Sequence, residues 1–267
     1  MNTKIPSDQE LRKISREVRA EIIRSLAEAG SGHTGGSLGL ADIFTCLYFG
    51  VMKHHCQDPG RKERDRLILS IEHVSSVLYA AMALAGCFSQ EELNTLQKLG
   101  MPGNKHFSGS AGQGLSLAVE MAITARKDKN DYHIYCILRE GDLEESSIRK
   151  AAMEAVHHNL SKLTILVDRN GAAIDGKVED LPKIELTTDK WKSFGWHVIH
   201  CDGHVHEDVF SAYEEAINIH SKPSVILADT IVGKGVSSIE GDNRWHGKAP
   251  SKKEAESFLR ELERGVS

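Results

Sequence analysis

Glu140, in the run REGDLEES, and Asn170, in DRNGAAIDG, each follow an apolar stretch, YHIYCIL and LTILVD, and stand thirty positions apart. If those stretches are adjacent parallel strands, the two residues lie side by side at the strand ends. A carboxylate, an amide oxygen and a neighbouring backbone carbonyl form a hard-oxygen set suited to magnesium or calcium. Magnesium keeps part of its shell for water and phosphate oxygens, so an open site of this kind would anchor a diphosphate group. The start of a helix after Gly141 would add N–H donors and a positive dipole end for the same anion. Spacing alone leaves a second reading open, in which Glu140 and Asn170 are ordinary polar residues of a loop and a turn.

Of the fourteen histidines, His54, His55, His157, His158, His204, His206 and His220 sit in polar contexts and carry no functional reading. His33 in SGHTGG, His73 in IEHVSS and His246 in WHGKAP differ. Each occupies a junction flanked by small residues or glycine, where an imidazole can face a cavity as donor or proton shuttle. Taken singly, each also suits a structural role. The stretch SGSAGQG is not GxGxxG, and neither a GxxxxGK[ST] loop nor a GxSxG elbow occurs, so nicotinamide, P-loop and serine-hydrolase chemistries find no support.

The elements that must position these residues follow from periodicity. Leu11, Ile14, Val18, Ile22 and Leu26 recur at three- and four-residue spacing and predict a helix over Asp8–Ala29, ended by Gly30. LADIFTCLYFGVM is apolar almost all round and predicts one buried helix. DRLILS reads as a short strand, followed by helices at VSSVLYAAMALAG and SQEELNTLQKLG. Then come a helix at LSLAVEMAITARK, the strand YHIYCIL, a helix at LEESSIRKAAMEAVHH and the strand LTILVD. The strand HVIHC, the helix EDVFSAYEEAINIH and the strand SVILADT complete the series. Strands alternating with helices predict an α/β fold, a mostly parallel sheet with helices on both faces. We expect one domain over residues 1–267, with a tail helix at about Lys252–Arg264 only loosely attached.

Composition narrows the function classes. In 267 residues, 33 Lys and Arg against 38 Asp and Glu give a net charge of −5, with no general pull toward nucleic acid or anionic membrane. No apolar run approaches the ~18 residues of a membrane span, and the N-terminus lacks the apolar core of a secretory signal, so the expected compartment is the cytoplasm. The five cysteines are scattered without a CxxC pair, which indicates neither a disulfide framework nor a thiolate zinc site.

Taken together, SGHTGGSLG, DRLILSIEHVSSVLYA, FSGSAGQGLS, REGDLEES, LVDRNGAAIDG, CDGH and VGKGVSSIEGDNRWHGKAP resemble, in order, the N-terminal half of the transketolase family. The family's counterparts read SGHPGGSLS, DRFVLSKGHASPALYA, STGSLGQGLS, GDGELQEG, a strand ending in DRN, DGH, then KGKGVSFME and WHGKAP. The similarity spans about Ser15–Glu263 and is far more specific than any single motif. It implies a thiamine diphosphate-binding fold with Mg2+ or Ca2+, and it implies roles residue by residue. Glu140 stands where the family has its metal-binding Asp, Asn170 matches the metal-binding Asn, and Ala172 would give its backbone carbonyl to the ion. Gly141 would approach the diphosphate, and Gly109, Ser110 and Ala111 would line the cofactor pocket. His33, His73 and His246 match histidines around the thiazolium and the substrate hydroxyls. Glu145 matches the carboxylate that hydrogen-bonds a catalytic Glu of the opposite polypeptide.

Several positions depart from the family pattern. GDG has become Arg139-Glu140-Gly141, which lengthens the ligand by a methylene and puts a bulky cation in place of glycine. The longer carboxylate still suits an octahedral ion if the loop shifts by about one bond length, with weakened or altered metal binding expected. The gapless match of KAAMEA to the family's next helix keeps Glu140, not Asp142, in the metal position. Arg139 has three possible roles: pairing with the diphosphate, pairing with Glu140, or blocking the site. KGH has become Ile71-Glu72-His73, Ser146 replaces a glycine, and the family's GHP loop is missing; His106 lies nearby but takes no assigned role.

In the family the cofactor is activated by a Glu on a pyrimidine-binding domain, and no segment here resembles that domain. The resemblance therefore points to the N-terminal subunit of a two-component transketolase. It would transfer a two-carbon ketol unit from a ketose phosphate to an aldose phosphate, inside an α2β2 assembly with a separately encoded partner that carries the catalytic Glu. Two other readings stay open here: a degenerate or repurposed subunit, and another thiamine-dependent enzyme of the dehydrogenase or deoxyxylulose phosphate synthase type.

Overall fold

The computed structural model describes residues 5–93, 113–171 and 184–265. They fall into two compact units: Met1–Met52, His73–Asn104 and Thr230–Ser267 form the first, and Lys53–Glu72 with Lys105–Asp229 the second.

In the first unit, the helix Asp8–Ala29 has the predicted bounds for identifiable reasons. Ser7 and Glu10 form a reciprocal capping box at its start, and Gly30 ends it at φ 67°, a left-handed conformation that glycine adopts without a Cβ penalty. Leu11, Val18, Ile22 and Leu26 are buried, as the spacing predicts. The buried Arg19 on the same helix donates to both carboxylate oxygens of Asp42, at 3.0 and 2.6 Å, and through Nε to the Lys234 carbonyl at 2.8 Å. Where one buried helix is expected over LADIFTCLYFGVM, the backbone forms a short α-helix, Ala41–Cys46, and then a wider π turn, Leu47–Val51. The tail helix, Lys252–Arg264, is not loosely attached. Its Ala255, Phe258 and Leu262 are buried, and Phe258 meets the Trp245 ring edge-on with centroids 5.0 Å apart.

The second unit is built on five strands: β1 Arg66–Leu69, β2 Ile134–Arg139, β3 Leu163–Arg169, β4 His197–Asp202 and β5 Ser224–Asp229. All pair in parallel, in the order β1-β2-β3-β5-β4. Helices Gly114–Lys127 and Ser146–His157, with Trp191 of Ile184–Phe194, cover the face bearing Ile134, Cys136, Leu138, Leu163, Ile165 and Val167. Helix His206–Asn218 lies against β4 and β5. Helix Gly114–Lys127 begins in close contact with the strand β1 exit: a Cβ at Gly114 would sit 2.5 Å from Ser70 Cβ. The α/β architecture matches the alternation in the sequence. Parallel pairing aligns the strand carboxyl ends, so the acidic, basic and amide residues just after β2, β3 and β5 share one edge.

Candidate functional site

In the first unit, His33, His73 and His246 come together. Ring centroids are 4.6 Å apart for His33–His73, 5.4 Å for His73–His246 and 5.8 Å for His33–His246. All three are half-buried.

Sequence explains the convergence. His33 precedes the six-residue helix Thr34–Gly39, whose TGGSLG is wholly buried. A Cβ at Gly35 would stand 2.4 Å from Val232 Cγ1 and 3.0 Å from the Trp245 carbonyl oxygen; one at Gly36 would stand 2.9 Å from Val74 Cγ1. The two glycines thus let this helix press against the segments that carry His246 and His73. Thr34 fastens the junction, donating its amide at 3.3 Å and its hydroxyl at 2.6 Å to the Lys248 carbonyl. Ser76 Oγ reaches Ser37 Oγ at 2.7 Å, and Ser37 Oγ in turn donates to the His33 carbonyl at 2.8 Å.

Burial holds the His33 pKa below the ordinary imidazole value. A neutral ring is a donor at one nitrogen and an acceptor at the other. Three imidazoles so spaced can hold hydroxyl groups and pass protons between them.

In the second unit, charge gathers where β2, β3 and β5 end. Register puts Arg139 opposite Asp168 and Arg169 opposite Asp229. Continuing β2 by one residue brings Glu140 level with Arg169 rather than with Asn170. The side chains follow that register. Arg169 Nε donates to Glu140 Oε1 at 3.0 Å, Thr187 Oγ1 donates to the same oxygen at 2.8 Å, and a second Arg169 nitrogen pairs with Asp229. Glu140 is buried, and no donor among the described residues reaches its Oε2. Asn170 Nδ2 donates to Asp168 Oδ2 at 2.8 Å, which turns the amide oxygen away from that carboxylate.

Arg139 does not pair with Glu140, one of the partners the sequence leaves open. Its Nη2 donates to Asp142 Oδ1 at 3.2 Å and its backbone N–H to Asp142 Oδ2 at 3.0 Å. Residues Glu140–Glu144 form a 3-10 turn, and the α-helix expected from Leu143 starts at Ser146. The N–H groups next to Gly141 therefore belong to that tighter turn. Glu145 is exposed at the N-cap of the helix. Gly109, Ser110, Ala111 and Ala172 lie outside the described residues.

Arg169, inside the DRN motif but given no role there, and Thr187 and Asp229, outside the quoted motifs, are the residues that sequence reasoning missed. A charged residue closing an otherwise apolar parallel strand, beside an acid closing its neighbour, is the signal that points to the first of them.

Chemically, the edge offers hard oxygen donors in Glu140 Oε2 and the Asn170 amide, beside two guanidinium groups. Comparison with known proteins gives this geometry a context. Residues 11–263 match the family described as transketolase, thiamine diphosphate binding domain. The chain is 38% identical over 268 residues to the 6-deoxy-6-sulfo-D-fructose transketolase subunit SqwG of Clostridium sp. (strain MSTE9), covering 94% of this chain and 98% of that protein. It is 33% identical to an apulose-4-phosphate transketolase subunit of Phocaeicola vulgatus, covering 93% and 92%. Human transketolase is 32% identical, but there the match covers 95% of this chain and 42% of the relative. Among solved structures, transketolase from Campylobacter jejuni superposes with a TM-score of 0.84 at 30% identity, over 96% of this chain and 42% of that one. Motif order, histidine geometry and these matches agree: the chain belongs to the thiamine diphosphate-binding domain family of the transketolases.

Proposed function

We propose that this chain is the N-terminal subunit of a two-component transketolase. It transfers a two-carbon ketol unit from a ketose to an aldose, in the cytoplasm, and works only with a separately encoded partner that carries the activating Glu, in an α2β2 assembly. Two relatives that carry subunit names and match nearly end to end support the division into two chains. Sugar phosphates are the expected substrates.

The observation that carries the reading is the meeting of His33, His73 and His246 within 4.6–5.8 Å, each at the position of a histidine in the family pattern. A polyhydroxylated substrate needs donors and acceptors at several oxygens, and a neutral imidazole such as His33 provides both. His33, His73 and His246 grip hydroxyls and relay protons, while His73 and His246 also face the cofactor ring. Glu145, exposed at its helix start, is available to meet the partner's catalytic Glu.

Thiamine diphosphate, when bound, supplies the nucleophilic carbon and the electron sink. The donor chemistry fits its accompanying Mg2+ or Ca2+: Glu140 Oε2, the Asn170 amide oxygen and the Ala172 carbonyl are all hard oxygens. Arg169 on the other oxygen of Glu140 restrains this carboxylate and competes with the ion for its charge. Gly141, without a Cβ, and Gly109, Ser110 and Ala111 give the diphosphate its backbone neighbours.

The test is reconstitution. The purified chain should transfer no ketol units alone, and should do so when mixed with its partner, thiamine diphosphate and Mg2+. Steady turnover by the chain alone, or none by the complete mixture, would refute the proposal.

A further inference from the structure

Arg139 stands where the motif that this segment resembles has a glycine, and its surroundings are unusual. Its guanidinium lies over the α-carbon of Gly141: a Cβ there would meet Nε at 3.6 Å and Cζ and Nη2 at 3.9 Å. Asp142, itself buried, fixes the side chain by accepting from Nη2 and from the backbone N–H. Nε is buried and has no acceptor among the described residues. A buried N–H without a partner is costly, and a ligand oxygen is one of the few things that accounts for it.

From this we infer that Arg139 is a diphosphate-binding residue, donating its Nε–H to an anionic oxygen held above Gly141. The inference rests on the cofactor reading given above. Asp142 acts as the positioning residue, leaving the guanidinium ready for a second acceptor because five N–H donors exceed what one carboxylate can take. The arrangement also explains how a bulky cation can replace glycine beside a phosphate site without closing it. The guanidinium is pulled back along its own turn onto Asp142, and its charge makes up for an ion whose ligand Glu140 is shared with Arg169.

The same guanidinium could serve a tetrahedral oxyanion at the far end of the sugar, and the experiment separates the two sources. Equilibrium binding of thiamine diphosphate and of thiamine is measured on the chain assembled with its partner in Mg2+, for wild type, Arg139→Gln and Arg139→Lys, with thermal melting as the folding control. Arg139→Gln should weaken thiamine diphosphate binding by about 10-fold or more, the size of one lost charge-assisted hydrogen bond. Thiamine binding and the KM of the sugar donor should not change. Arg139→Lys should recover much of the affinity, and the wild type should lose affinity with added NaCl more steeply than Arg139→Gln. Thiamine diphosphate binding by Arg139→Gln within about two-fold of wild type would overturn the inference alone. So would a raised donor KM with cofactor affinity intact. No binding by the wild-type assembly would overturn the cofactor reading along with it.

Discussion

Replacing Arg169 by methionine tests whether the charge pair at the β2 and β3 ends governs both stability and ion binding. Arg169 bridges two carboxylates in different surroundings. Asp229 is 63% exposed, so its half of the bridge contributes at most about 1 kcal/mol. Glu140 is only 7% exposed and would keep Thr187 Oγ1 as its one remaining donor among the described residues, so stripping its cation leaves a buried, uncompensated charge. Breaking such a pair from one side costs roughly 3–5 kcal/mol, and this larger effect decides the outcome. Arg169→Met should therefore lower unfolding stability by that amount. The double variant Glu140→Gln/Arg169→Met should recover most of it, because no charge is left behind. Urea unfolding followed by tryptophan fluorescence reads this directly, since Trp191 and Trp196 are buried in the same unit. Added Mg2+ should rescue Arg169→Met more than wild type, by up to about 2.7 kcal/mol at a hundred times its Kd, because the ion replaces the lost cation. If Arg169→Met unfolds within about 1 kcal/mol of wild type, the pair does not govern stability. If the double variant is no better than the single one, lost packing rather than charge caused the change.

Two further outcomes are expected. Gly35→Ala gains at most about 1 kcal/mol of helix propensity but drives a methyl into Val232 Cγ1, at 2.4 Å, and toward the backbone oxygen of Trp245, so a net loss of about 1–3 kcal/mol is expected. Ketol transfer by the reconstituted assembly should fall with it, since the same contact positions His33 against His246; a melting temperature and rate equal to wild type would contradict this. His133 is half-buried, and loss of hydration pushes its pKa down to about 3, so the unfolded chain takes up a proton near pH 6.5 that the folded chain refuses. That contribution to stability is complete above about pH 6.5 and drains away as pH falls toward 3, amounting to about 2 kcal/mol between pH 7 and 5. Asp65, whose carboxyl is raised by burial, acts in the opposite direction only nearer the carboxylate range. Urea midpoints of wild type and His133→Gln at both pH values should diverge accordingly, and parallel shifts would show that His133 plays no part.

What can be read from the chain divides along physical lines. The bounds of Asp8–Ala29 and Lys252–Arg264 are legible because capping residues and the apolar stripe are local signals. The neighbourhood of His33 and His246 is legible because glycine near each marks close backbone approach, and the contacts of Gly35 and Gly36 show that approach; His73 has no such glycine beside it. Register is not legible. Reading Glu140 beside Asn170 requires the offset between β2 and β3, and the real offset sets Glu140 beside Arg169. The tail helix misleads for a related reason: its many charges suggest solvent, whereas three apolar residues, Ala255, Phe258 and Leu262, suffice to seat it on Trp245 and its surroundings. The π turn at Leu47–Val51 has no local signature, since nearly every residue near it is buried and apolar in either geometry.

The first unit is assembled from three stretches far apart in the chain, and one imidazole of the cluster comes from each: His33, His73 and His246. Arg19 adds a second tie across the same gap, from the first helix to the Lys234 carbonyl. On the ribosome, then, the two early stretches must wait without their closing partner until the third has emerged, so the histidine cluster is completed late in synthesis. A translation product cut short before His246 lacks the third imidazole and leaves His33 and His73 without it.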